Sequence, residues 1–149
     1  MSSLGDLLRD ESLSGLISSQ IQPGAVFFIF DQNTQKDKFI VILGIDTHKI
    51  IVGSLYINSE INPNVIRTKE QKSLQFKLKC SDYPFLKYDS YIDTSYIQKR
   101  RYANLIDILV AKKGVWQGEI KERDFDYLRS IMSVSRIIST ADKRDFGII

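Results

Sequence analysis

Three short apolar runs, separated by brief polar turns, limit the fold of this chain more than any other feature. They are "AVFFIFD" (25–31), "KFIVILGI" (38–45) and "IIVGSLYI" (50–57), all rich in β-branched and aromatic residues. Such runs predict β-strands, and a connection as short as "DTHK" (46–49) predicts an antiparallel hairpin. We therefore expect this part of the chain to form an antiparallel sheet.

Further extended segments follow, and helices are predicted at both ends. The predicted strands are "SLQFKLKC" (73–80), 89–97, 104–111 and "GVWQGEI" (114–120); the predicted helices are 4–17 and 121–138. A helical turn within 95–109 is the alternative for that region. Leu74, Phe76 and Leu78 alternate with polar residues, whereas Phe125, Leu128, Ile131 and Met132 recur at helical spacing. The predicted fold is mainly β with α: a small curved antiparallel sheet or SH3-like barrel, a C-terminal helix and an added N-terminal helix.

Length and composition favour one cytoplasmic domain. A chain of 149 residues is long enough for one core. We expect an N-terminal helix and linker at 1–22, the barrel domain at 23–140 and a C-terminal tail at 141–149. No apolar run is long enough for a membrane helix, and the single cysteine rules out an internal disulfide. We expect neither a metal site nor a cofactor.

Positive charge is concentrated in the middle of the chain. Residues 67–101 hold nine Lys and Arg against four Asp and Glu, whereas residues 1–66 hold four against seven. A cluster of this kind can bind a polyanion such as RNA, although a solvated basic face is the other interpretation.

A cation and a hydroxyl are expected to meet where the predicted hairpin opens. Pairing of 38–45 with 50–57 brings Lys38 near Ile57, Asn58 and Ser59, about 5 Å away on the next strand. A lysine and a hydroxyl at this point can hold a phosphodiester. The sequence offers few other groups for catalysis, because His48 and Cys80 are single and are expected to be a turn residue and a structural residue.

The order of these segments resembles the MazF/PemK family of toxin endoribonucleases over roughly residues 22–140. The segments that carry the resemblance are "QPGAVFFIFD", "KFIVILG", "IIVGSLYINSE", "DSYIDTSYIQ" and "GVWQGEIKERDFDYLRSIM". The resemblance implies an SH3-like barrel that cuts single-stranded RNA without metal. It also implies a homodimer and a cognate antitoxin as partners. A run of aromatics between 83 and 102 favours that region as part of the dimer contact.

The resemblance also assigns roles to residues at the mouth of the hairpin. Lys38 stands where the family has an arginine, and Phe39 stands where it has a proline. Ser59 corresponds to the family's Thr or Ser, and Asn58 competes for that place. Asp37 is expected to help position Lys38. We expect further basic side chains to bind the RNA backbone on either side of this point; these are Lys36, Arg67, Lys77, Lys79, Arg100 and Arg101.

Three hypotheses follow for the function. The first is an endoribonuclease that uses the ribose 2′-hydroxyl of single-stranded RNA as its nucleophile. The second is a catalytically impaired barrel of the same fold that binds RNA or protein. The third is a structural interaction domain whose basic segment is only solvated.

Overall fold

A seven-stranded antiparallel sheet forms the centre of the protein. The structure is a computed structural model that describes residues 4–149, with side chains from residue 12 onward. The helices are α1 (Leu4–Gln20), α2 (Lys69–Ser73), α3 (Tyr102–Val110), α4 (Glu122–Ser133) and α5 (Thr140–Asp145). The strands are β1 (Ala25–Asp31), β2 (Lys36–Ile45), β3 (Ile51–Asn58), β4 (Gln75–Leu78), β5 (Ser90–Asp93), β6 (Gln98–Arg101) and β7 (Gly114–Glu119). A β-rich fold with an antiparallel sheet and helices at both ends is confirmed, while the SH3-like barrel stays a prediction.

The order of the strands gives β3 three partners in the sheet. The main path is β4-β5-β3-β2-β1-β7, and β6 also pairs with β3. The first part of β3 pairs with β6 at 51–54, and its end pairs with β5 at Ile57 and Asn58. One edge of β3 therefore serves two partner strands, while β2 occupies the other edge.

The hairpin of β2 and β3 forms as the sequence predicts. Its turn is held by Asp46, whose Oδ1 accepts hydrogen bonds from the backbone N–H groups of Ile50 (2.7 Å) and Ile51 (3.0 Å). Lys49 adopts φ 56°, the left-handed conformation that closes such a turn. The turn fixes the pairing next to it, and a shift of register between Ile42 and Gly44 changes the pairing by one residue towards the open end of the hairpin.

Two apolar clusters lie on the sheet, and helices cover both. One cluster joins α1 and α3 to the first three strands; its members include Ile17, Ile21, Phe27, Ile40, Leu105 and Leu109. The other joins α4 and the C-terminus to the sheet; its members include Val26, Val41, Leu55, Phe125, Leu128, Met132 and Phe146. Successive residues of a strand point to opposite faces, which explains how Val26 and Phe27 enter different clusters. Among residues 4–149, no helix combines the length and apolar character that a membrane span requires.

The strand predicted at 104–111 is wrong, because this segment is helix α3. Tyr102, Leu105, Ile106 and Leu109 follow a helical spacing, and Leu105 and Leu109 are buried against the sheet. The alternative prediction, a helical turn within 95–109, is therefore correct from Tyr102 onward. The strand predicted at 89–97 is also split, with β5 at its start and β6 beginning one residue after its end.

The helix predicted at 121–138 stops earlier, at Ser133. The ammonium group of Lys143 donates to the carbonyl oxygen of Ser133 (2.9 Å), an acceptor that the end of the helix leaves free, and to that of Ser135 (2.8 Å), two residues beyond it. Ser139 then caps α5 by accepting from the backbone N–H of Asp142 at 3.1 Å. Of the four residues predicted to pack on the sheet, Phe125, Leu128 and Met132 are buried, whereas Ile131 is only partly buried.

Two residues of the segment 141–149, Phe146 and Ile148, are buried in the core, while most of the others are exposed. Phe146 is buried against two glycines of the central strands. A Cβ atom at Gly44 would lie 2.4 Å from the carbonyl oxygen of Phe146, and one at Gly53 would lie 2.8 Å from its ring. Only glycine leaves room for this contact at either position.

Candidate functional site

Lys38 and Asn58 meet at the open end of the β2–β3 hairpin. Phe39 pairs with Ile57 in the register of the two strands, so the residues just outside that pair are neighbours. Lys38 Nζ donates a hydrogen bond of 2.6 Å to Asn58 Oδ1. The neighbourhood expected from the sequence is therefore present, with the amide of Asn58 rather than the hydroxyl of Ser59 as the direct partner.

An aromatic ring supports the lysine. Lys38 Nζ lies 5.2 Å from the centroid of the Tyr56 ring, within the range of a cation–π contact. Burial lowers the pKa of Lys38 below its ordinary value, and the charges of Asp31 and Asp93 act against this shift. The result is a half-buried ammonium whose position is fixed on two sides.

Tyr56 is itself held by a buried carboxylate, Asp31, at the end of β1. The Tyr56 hydroxyl donates to Asp31 Oδ2 (2.8 Å), as does the hydroxyl of Thr34 (2.8 Å). On the other oxygen, Arg100 Nη2 donates to Asp31 Oδ1 (3.1 Å) and also to the amide oxygen of Gln98 (2.5 Å). The carboxylate of Asp31 is fully buried and the Arg100 side chain is only 12% exposed.

These contacts shift two pKa values in opposite directions. Burial alone would raise the pKa of Asp31, but the hydrogen bonds from Thr34, Tyr56 and Arg100 outweigh burial and hold it at about 2. Burial, together with the hydrogen bond to Asp31, raises the pKa of Tyr56 to about 12. At neutral pH the pair is therefore a carboxylate that accepts from a neutral phenol.

A second buried carboxylate, Asp93, lies at the end of β5. Its side chain is bonded through Oδ1, which accepts from Gln75 Nε2 (2.9 Å), from the Ser95 backbone N–H (3.0 Å) and from the Ser95 hydroxyl (2.5 Å). Among residues 12–149, no donor is bonded to its other oxygen. Asp93 is 8% exposed and faces the same groove as Lys38.

The groove that joins these groups has a volume of about 880 Å³. Apolar rings form part of its wall, since Phe28 lies 4.7 Å from Phe39 and Phe39 lies 5.7 Å from Phe85, centroid to centroid. Its polar lining includes Lys36, Asp37, Lys38, Asn58, Ser59, Lys87 and Asp93. With Glu60, which also lines it, the groove combines three lysines, three carboxylates and several aromatic rings.

Two of the predicted catalytic residues, Ser59 and Asp37, line the groove, but neither side chain is bonded to the ammonium of Lys38 among residues 12–149. Ser59 is exposed, and no hydrogen bond of its hydroxyl is present in the described part of the chain. Asp37 is exposed as well and makes no ion pair with Lys38 within 4 Å among residues 12–149. The role expected for Asp37, positioning Lys38, is instead carried by Asn58 and Tyr56.

The remaining predicted RNA-binding residues do not form one track with Lys38. Lys77 is paired with Asp89 at 3.7 Å, and Arg67 Nε donates to the backbone oxygen of Asn64. Lys79 is exposed beyond the end of β4. Arg101 pairs with Ile51, at the opposite end of β3 from Asn58. Of the six residues, Lys36 alone lines the groove; Arg100 is committed to Asp31.

His48 and Cys80 lie away from the groove lining. His48 is exposed in the β2–β3 turn. Cys80 packs against the core beside Asp89, whose hydrogen bond raises the pKa of the thiol. In the part of the chain that the structure describes, no three His, Cys, Asp or Glu side chains are grouped to hold a metal ion.

The sequence analysis missed Asp31, Tyr56, Asp93 and Lys87. Asp31 carried a usable signal, because a charged residue that ends an apolar strand often has a buried partner. Tyr56 is in register with Ile40, on the same side of the hairpin as Lys38, and could have been found from the predicted pairing. Asp93 and Lys87 reach the groove only through long-range folding and had no local signal.

Comparison with known proteins assigns no family to this arrangement. No family model matches the chain, and no curated protein matches it.

Proposed function

We propose that the protein is an endoribonuclease that cuts single-stranded RNA through the ribose 2′-hydroxyl. The observation that carries the proposal is the ammonium of Lys38, fixed by Asn58 and Tyr56 at an open groove that also presents Asp93. A fixed cation is the group that a phosphoryl transfer needs most, because negative charge grows on the phosphate oxygens.

The groove supplies partners for each part of the reaction. The 2′-oxygen attacks the adjacent phosphorus, the bond from phosphorus to the 5′-oxygen breaks, and the products carry a 2′,3′-cyclic phosphate and a 5′-hydroxyl. Asp93 accepts the 2′-proton through Oδ2, the oxygen that accepts no hydrogen bond from residues 12–149. Lys38 stabilises the phosphorane, and its lowered pKa makes it a better proton donor to the 5′-oxygen than a solvated lysine. The exposed Ser59 hydroxyl orients the phosphate.

The nucleophile is part of the substrate, so the proposed reaction needs no activated water. We accordingly propose that it proceeds without metal or cofactor. The substrate, single-stranded RNA, is consistent with a cytoplasmic location.

One observation favours the alternative of a binding module. Asn58, not a hydroxyl, is the direct partner of Lys38, and lysine lacks the planar fork with which arginine grips two phosphate oxygens. If cleavage is absent, the groove is expected to bind RNA through the same cation and rings.

We also propose the partners that the MazF/PemK resemblance implies, a second copy of the chain and a cognate antitoxin. Fewer aromatic residues of the 83–102 region are exposed for a dimer contact than expected. Tyr83 is buried, and its hydroxyl donates to Asp124 within the same chain. Tyr88 and Tyr96 remain strongly exposed, at 67% and 61%. Light scattering at tens of micromolar protein tests the dimer, and a stable monomer would contradict it.

The function is tested with purified protein and a mixed-sequence single-stranded RNA in EDTA. We expect fragments with 2′,3′-cyclic phosphate and 5′-hydroxyl ends. The matched control is the same RNA with 2′-deoxy sugars, which has no nucleophile and should stay intact. Cutting of the deoxy control, or fragments with 5′-phosphate ends, would contradict the mechanism.

A further inference from the structure

Three apolar side chains are exposed side by side on β1 and β7. Phe28, Phe30 and Val115 are 36%, 41% and 57% exposed, although β1 lies between two neighbours in the sheet. Phe28 and Phe30 share one face of the strand because residues two apart point the same way. Phe28 is also in register with Val115. We call these three residues the aromatic strip.

Two lysines stand at one end of the aromatic strip. The backbone N–H of Phe30 donates to the carbonyl oxygen of Lys113 at 3.3 Å, and Lys112 adopts φ 59° in the turn before β7. Both lysines are exposed, and neither forms an ion pair within residues 12–149. Together with the strip they line a shallow groove of about 460 Å³.

The aromatic strip is continuous with the Lys38 groove. Phe28 and Asp37 line both grooves, and the ring of Phe28 lies 4.7 Å from that of Phe39, the residue after Lys38. A chain bound at Lys38 can therefore pass onto the strip without crossing a barrier of buried structure.

We propose that the aromatic strip, with Lys112 and Lys113, is a second nucleotide-binding site. It holds the segment of single-stranded RNA next to the phosphate at Lys38, and the inference thus rests on the proposed function. Exposed rings on a strand stack bases, and exposed lysines beside them contact the phosphates. The two exposed lysines and the continuity with the Lys38 groove favour RNA over an apolar protein surface as the occupant.

The test measures the affinity for 2′-O-methyl RNA, which cannot be cut, by fluorescence anisotropy with a decamer and a trinucleotide. Phe30→Ala should raise the Kd of the decamer about tenfold, as loss of one stacking contact does. Lys113→Gln should weaken decamer binding and reduce the slope of log K against log salt by about 0.7. The trinucleotide is long enough to span only the Lys38 groove, so the wild type and all variants should bind it with equal affinity. Lys49→Gln, in the turn at the far end of the hairpin, is the matched control and should change nothing.

One further variant and one further assay distinguish a loss of RNA binding from a loss of folding and from a loss of cleavage. Phe30→Tyr keeps a stacking ring and should bind the decamer like the wild type, which excludes a general loss of structure. Cleavage of native RNA is measured in parallel. If Phe30→Ala and Lys113→Gln both bind the decamer as tightly as the wild type, the second site is overturned, even if native RNA is cut. Strip-dependent binding without any cleavage would support the second site and contradict the endoribonuclease. Dissociation of a dimer by Phe30→Ala, with RNA affinity unchanged, would show a protein contact and overturn the proposal.

Discussion

Replacing Asp31 by Asn should destabilise the protein far more than an ordinary surface substitution. The carboxylate is fully buried and bonded to Thr34, Tyr56 and Arg100. Its removal leaves the guanidinium of Arg100, only 12% exposed, without a counter-charge. Breaking a buried pair in this way costs about 3–5 kcal/mol. For a chain of this length, that corresponds to a fall in Tm of roughly 10 °C.

The pKa of Asp31 gives the same effect a pH dependence. Its value of about 2 lies below the ordinary 3.8, so the folded state favours the charged form. The stabilisation is present above pH 4 and is lost as the pH falls from about 4 to 2. The shift corresponds to about 2.5 kcal/mol of unfolding free energy. The difference in unfolding free energy between the wild type and Asp31→Asn should therefore decrease as the pH falls from about 4 to 2.

Urea unfolding followed by circular dichroism measures both effects. Asp107→Asn, an exposed aspartate on α3, is the control and should change stability by less than about 0.5 kcal/mol. The double variant with Arg100→Gln should lose less than the sum of the single losses, since the two residues are coupled. A cost below about 1 kcal/mol for Asp31→Asn, or additive losses, would refute the role assigned to the pair.

Two further substitutions probe the packing on the sheet. Gly53→Ala would place a Cβ atom 2.8 Å from the Phe146 ring and should lower the free energy of urea unfolding by about 1–3 kcal/mol. At Gly15 in α1 a Cβ atom would meet nothing within 4 Å, so Gly15→Ala should raise that free energy by about 0.5–1 kcal/mol. Equal effects of these two glycine substitutions would contradict the packing of the C-terminus. Leu128→Asp should cost about 4 kcal/mol or more, because it buries a charge, while the exposed Ser130→Asp should be nearly neutral; a similar loss in both would show that α4 does not pack as described.

Local chemistry made the hairpin and its mouth predictable. The turn at 46–49 and the two apolar runs predict that β2 pairs with β3, which brings Lys38 near residues 57–59. A shift of register between Ile42 and Gly44, which had no local signal, then sets Asn58 rather than Ser59 opposite Lys38. Side-chain spacing also identified the buried face of α4. These features depend on residues close in sequence, where turn chemistry and periodicity carry most of the information.

The parts that were missed depend on long-range contacts. The segment that forms α3 is apolar enough to satisfy a strand as well as a helix, and burial of Leu105 and Leu109 decides between them. Arg100 meets Asp31 across 69 residues of chain, so its basic side chain could not be distinguished from a surface cation. Asp93 reaches the groove only because β5 pairs with the end of β3.

The most direct test of the central claim is a cleavage time course in EDTA with wild type, Lys38→Ala, Lys38→Arg and His48→Ala on one labelled RNA. Removing the cation at the reacting phosphate should lower the rate about a hundredfold or more. Lys38→Arg should retain or increase activity because it adds a planar fork, and His48→Ala, in the distant turn, should cut like the wild type. If the wild type cuts and Lys38→Ala cuts equally fast, Lys38 is not the reacting group and the proposed site is contradicted.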